Sequence, residues 1–138
     1  MSATVCRAQR QINMPYRYFN PNPRRLQVGD CTVRALSAIA GGSWYDAYDK
    51  LCDRGRSMAN MPSADVVWAD ELRRLGLRMR SLPDCYPACY TVADFAEDHP
   101  RGIYVLAPQG HAVAVIDGCY LDSYDSGLMI PNLYFEEA

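Results

Sequence analysis

The chain reads as an α+β domain, with amphipathic helices in its first two thirds and short strands in its last. Three features predict this. Between positions 31 and 98, apolar residues recur at three- and four-residue spacing in segments opened by small polar residues and closed by Gly or Pro. From 103 to 135 the pattern becomes short runs rich in Val, Ile and Tyr, separated by turn residues. One of those turns is Asp117-Gly118, the strongest hairpin signal in the chain.

The elements follow in order. Residues 1–25 have little periodicity, a run of Tyr16, Tyr18 and Phe19, and the steps Asn20-Pro21 and Asn22-Pro23, so they read as an extended arm ending in a turn. Val33, Leu36 and Ala40, with Ala35 and Ile39, recur at helical spacing after Gly29-Asp30, and Gly41-Gly42 stops this first helix. Ser43 is a good cap for a second helix through Leu51, and Ser63 for a third through Leu75, ended by Gly76. Leu77 to Leu82 alternates as a strand does. Thr91, with Asp94 three residues on, opens a fourth helix that Pro100 breaks. The initial helices are expected to pack on an antiparallel sheet built from the C-terminal half.

With 138 residues, 49% hydrophobic and 22% charged, the sequence predicts one folded domain over 20–138, preceded by an arm over 1–19 of which 1–13 reads as dispensable. The formal net charge of −2 argues against non-specific nucleic-acid binding. No apolar run approaches the roughly 20 residues of a membrane-spanning helix, and the N-terminus lacks the apolar stretch of a signal peptide. A cytoplasmic protein is expected, with its six cysteines (Cys6, Cys31, Cys52, Cys85, Cys89, Cys119) as reduced thiols.

One cysteine stands apart. Gly29-Asp30-Cys31 places Cys31 at a helix N-terminus, where the helix dipole favours the nucleophilic thiolate and the first amides are free to face an oxyanion. A cysteine nucleophile is usually paired with a histidine, and the chain has two, His99 and His111. His99 sits in a turn, whereas His111 opens an apolar strand that would hold it as a base. The third member of such a site is an Asp or Asn that accepts from the imidazole and orients it. If Asp117-Gly118 makes a two-residue turn, Ile116 pairs with Cys119 and Val113 with Asp122, so Asp122 lies diagonally beside His111 on the same face. A one-residue bulge would exchange faces and bring in Asp125 instead. For a side-chain donor to the oxyanion the upstream choices are Gln27, nearest in sequence, and Asn22 or Asn20.

Taken together, Gly29-Asp30-Cys31 with Arg34-Ala35-Leu36, Gly110-His111-Ala112-Val113-Ala114-Val115, and Asp122-Ser123-Tyr124-Asp125-Ser126-Gly127 resemble the papain-like cysteine peptidases. The nearer likeness is to compact bacterial forms, including the bacteriocin-leader-processing peptidase domains, and to small proteins of bacteria and phages in which an Asn-Pro-Asn-Pro step precedes a Gly-Asp-Cys helix. The resemblance spans roughly residues 18–135. It implies a papain-like fold and a Cys-His-Asp hydrolase; we expect it to act on peptide or isopeptide amide bonds of a peptide or protein, without a cofactor or metal. One departure matters: the leader-processing peptidases carry their oxyanion glutamine six residues before the nucleophile, where this chain has Arg25.

Other readings compete. The same triad could transfer its acyl group to an amine or thiol rather than to water. The scaffold could instead be a non-catalytic binding module, for example one encoded by a phage. Cys85, Cys89 and His99 suggest a metal site only weakly, because Cys-x3-Cys has no second pair at matching spacing. Oligomeric state and cleavage sequence leave no mark.

Overall fold

The computed structural model describes residues 15–83 and 89–138. Six strands form one sheet: β1 (Tyr16–Tyr18), β2 (Leu77–Ser81), β3 (Ile103–Pro108), β4 (Val113–Ile116), β5 (Cys119–Asp122) and β6 (Pro131–Glu137). Their spatial order is β1-β5-β4-β3-β6-β2. All neighbours are antiparallel except β1, which runs parallel to β5 with Tyr16 opposite Tyr120. The sheet is therefore mixed rather than antiparallel throughout. The segment Tyr16–Tyr18, read from sequence as part of an arm, is its edge strand.

Among the described residues four helices accompany it: α1 (Cys31–Ala40), α2 (Trp44–Ser57), α3 (Asp65–Arg74) and α4 (Val92–Asp98). Ser43 with Asp46, and Thr91 with Asp94, form reciprocal capping boxes that satisfy the first amides of α2 and α4. The expected Ser63 cap is displaced by one residue. Ala64 occupies the cap position with no side-chain bond, and its carbonyl accepts from Val67 N at 2.9 Å.

Alternation along the strands decides which face each helix covers. Val105, Ala114 and Phe135 pack with Val33 and Leu36 of α1, Leu51 of α2 and Trp68 of α3. Leu106, Val113, Val115 and Tyr120 point the other way and pack with Val92, Phe95 and Ala96 of α4. Thus α1–α3 cover one face and α4 the other. Leu51, Phe95, Leu106 and Phe135 are each 1% exposed or less, and full burial of such a side chain contributes about 1.5–3 kcal/mol. Among the described residues no helix is long and apolar enough to cross a membrane.

The turn between β4 and β5 positions the site. Asp117 and Gly118 have φ of 49° and 84°, the paired left-handed conformation of a tight two-residue hairpin. Ile116 accordingly pairs with Cys119, and Ala114 with Leu121, which leaves Asp122 at the open end of β5 beside the start of β4.

The expectation of six reduced thiols needs correcting. Cys119, fully buried on β5, is disulfide-bonded. Bridge formation depends on how close two Cα atoms come in space, which scattered positions along a chain do not report. Cys31, Cys52 and Cys89 are free thiols. Cys6 and Cys85 lie outside the described residues, and so does the segment 1–13 read from sequence as dispensable.

Candidate active site

Cys31 is the first residue of α1 and half-buried. A tight turn, closed by Asp30 N donating to Val28 O at 2.7 Å, delivers the chain to it. Asp30 is the cap residue of α1, yet its carboxylate makes no capping bond. It turns inward instead: Oδ1 accepts from Arg34 Nη1, and Oδ2 accepts from the indole Nε1 of Trp44 at 2.8 Å.

His111 lies two residues before β4 and is buried. Its Nε2 lies 2.7 Å from Oδ2 of Asp122, a side chain with no exposed surface. The hairpin register thus brings Asp122 to His111. It does not bring Asp125, whose Oδ1 accepts from the Tyr120 hydroxyl at 2.5 Å and from Gly127 N at 3.0 Å, so that alternative is corrected. No bulge shifts β4 against β5, and Asp125 lies past the end of the strand.

The three groups tune one another. Burial pushes the Cys31 thiol up, but the hydrogen bond and charge of His111, the Ala112 amide and the Arg34 guanidinium bring it below its ordinary value of 9.0. Burial likewise opposes the His111 cation. Its bonds to Asp122 and Cys31 outweigh that and raise the imidazole from 6.5 to about 9. For Asp122 burial is again overcome, here by His111, Ser126 and Arg34, which hold the carboxyl below the usual range. Each shift moves its group towards the charged form: thiolate for Cys31, imidazolium for His111 and carboxylate for Asp122. That is the charge pattern of an activated sulfur nucleophile with a proton held ready for a leaving group.

Each of the sequence-predicted oxyanion donors is engaged in a hydrogen bond. The Asn22 side-chain oxygen accepts from Arg24 N and Leu26 N at 2.9 and 3.2 Å, which folds the Asn-Pro-Asn-Pro loop. Asn20 closes the same loop through Leu26 O at 3.2 Å. Gln27 is exposed and reaches across to donate from Nε2 to Ser123 O at 3.0 Å, beside Asp122. His99 is far from this chemistry: its Nδ1 bonds Phe95 O at 2.7 Å and its ring stacks on Phe95. Among the described residues no cluster of His, Cys, Asp or Glu is arranged to hold a metal ion.

Sequence reasoning gave no role to four groups. Arg34 binds Asp122 Oδ1 through Nε at 3.0 Å and Nη2 at 2.8 Å. Ser126 donates to Asp122 Oδ2 at 2.6 Å, Trp44 holds Asp30, and the Tyr124 hydroxyl lies 3.3 Å from His111 Nδ1. A signal for Arg34 was present. It is the sole charge in the helix CTVRALSAIA, three residues from Cys31 and four from Asp30, hence on their face.

Tyr124 is 44% exposed, and its ring lies against that of His111. The same imidazole bonds the Cys31 thiol, so the two side chains share it. Tyr124→Phe is expected to leave stability within about 0.5 kcal/mol and to raise alkylation of Cys31 at low pH by roughly two- to threefold. Thermal melts and labelling rates would check this, and a fall in labelling would place the hydroxyl on the thiolate instead.

Two clefts flank the site. One of about 420 Å³ borders His111 and is walled by Trp68, Met79, Leu133 and Phe135, with Arg73 also lining it. The second, of about 310 Å³, borders the Val28–Asp30 turn and is walled by Trp44, Tyr48 and Leu51. Both have the size and apolar walls of ligand sites. No family model matches this chain, and neither a curated protein nor a solved structure matches it.

Proposed function

We propose that this protein is a papain-like cysteine hydrolase that cleaves peptide or isopeptide amide bonds. The observation that carries the reading is the contact of His111 with Asp122 beside a half-buried cysteine at a helix N-terminus. In this mechanism the Cys31 thiolate attacks the carbonyl carbon, and the oxyanion forms opposite the Cys31 amide. Gln27 is the candidate side-chain donor, since its amide nitrogen carries two N–H groups and only one is needed for Ser123 O. His111 gives its proton to the departing amine, leaving an acyl-enzyme. Water then adds to the acyl carbon while His111 takes its proton, and loss of the thiolate restores the starting state. Asp122 stays ionised throughout and orients the ring. The cleft beside His111 offers apolar walls to a substrate side chain.

The reading is tested by alkylation with iodoacetamide across pH 5 to 9, read at each cysteine by peptide mass spectrometry. Cys31 is expected to label well below the ordinary thiol range, ahead of Cys52 and Cys89. Labelling of Cys31 that follows an ordinary thiol titration would instead favour a binding module. Once a substrate is in hand, Cys31→Ala is expected to abolish turnover while keeping the folding transition; full turnover in that variant would sink the assignment.

A further inference from the structure

We infer that Arg34 is the positioning residue of this site: its guanidinium fork leaves one oxygen of Asp122 to face His111, and its remaining arm ties that carboxylate, through Asp30, to the turn carrying Cys31. The inference rests on the hydrolase reading and adds to it what holds nucleophile and base in register.

Arg34 is 3% exposed and belongs to the same helix as Cys31. Two of its nitrogens converge on Asp122 Oδ1, at 3.0 and 2.8 Å, and Ser123 N donates to the same oxygen at 2.8 Å. The other oxygen takes His111 Nε2 and the Ser126 hydroxyl, at 2.7 and 2.6 Å. Rotating Asp122 would break bonds at both oxygens. The third nitrogen of Arg34 pairs with Asp30, whose second oxygen is held by Trp44. One rigid, planar group therefore connects α1, the Cys31 turn and the end of β5. A lysine, a point charge on a flexible stem, cannot make that fork. Nor is such a pair an economical stabiliser, because burying a guanidinium with carboxylates adds little over apolar packing.

The groups facing Asp122 and Cys31 are Asp30 before α1, Arg34 on α1, His111 at β4, Ser126 and Tyr124 after β5, and the hydroxyl of Tyr16 on β1, which donates to Asp122 O at 3.1 Å. Charge and positioning therefore have to be separated by experiment, and two variants do so. Arg34→Lys keeps the charge and loses the fork. If only charge matters, the alkylation profile of Cys31 stays as in the wild type. If Arg34 positions Asp122, labelling at pH 6 falls by about ten- to a hundredfold, as for loss of an outer-shell partner elsewhere. Asp30→Asn keeps the shape and removes a negative charge near the thiolate. Charge alone predicts faster labelling at pH 6, whereas positioning predicts slower labelling, by roughly threefold.

Each variant is first tested for a cooperative melt, and Asp30→Asn decides the matter if Arg34→Lys does not fold. Slower labelling in every variant that folds supports the inference. A wild-type profile in Arg34→Lys, or labelling in Asp30→Asn that is unchanged or faster, overturns it while the hydrolase reading stands. A wild-type Cys31 that titrates as an ordinary thiol overturns both.

Discussion

Asp122→Ala is expected to lower the unfolding free energy by about 3–5 kcal/mol, the cost of leaving buried charge without its partner. The substitution strips Arg34 of two bonds, His111 of its acceptor and Ser126 of its own, all in a place without exposed surface. The main-chain oxygen of residue 122 still accepts from Phe19 N, so β1 keeps its anchor on β5. For a chain of this length the melting midpoint should fall by roughly 10 to 20 °C. Calorimetry at neutral pH measures it. A fall of only a degree or two would mean that water reaches the site and solvates Arg34, contrary to the burial described above.

His111→Ala is expected to slow alkylation of Cys31 at pH 6 by roughly ten- to a hundredfold. The range follows from two opposing effects. A thiol at the ordinary value of 9.0 is only about 0.1% ionised at that pH, so losing the imidazolium removes much of the thiolate. A thiolate of lowered pKa is intrinsically a weaker nucleophile, which returns part of the loss. The sign is fixed by the direction of the shift: His111 lowers the Cys31 value, so its loss moves the labelling curve to higher pH. Unchanged labelling would show that helix position alone activates the thiol.

Reactivity reports on the pair more directly than stability does, because the two shifts act on stability with opposite dependence on pH. The raised value of His111 stabilises the fold fully below 6.5, and that contribution fades as pH climbs through about 9. The lowered value of Cys31 works in reverse, complete above 9.0 and fading as pH drops through the lowered value. Where both act, one slope cancels the other.

Local chemistry made much of this protein legible in its sequence. Ser43 and Thr91 announce α2 and α4 because a capping box needs only residues three apart. Asp117-Gly118 announces the β4–β5 hairpin because few residue pairs tolerate two left-handed conformations, and the turn sets the register that carries Asp122 to His111. Cys31 is marked by its place at the start of α1. What the tertiary structure alone decided are interactions between segments distant in the chain. Only packing brings Tyr16–Tyr18 onto β5, for a three-residue strand has no periodicity of its own. The bond of Cys119 likewise depends on proximity in space. Arg34 could be seen as an odd charge in an apolar helix, but its partner Asp122 lies 88 residues away, and only the folded sheet supplies the carboxylate that makes a buried guanidinium tolerable.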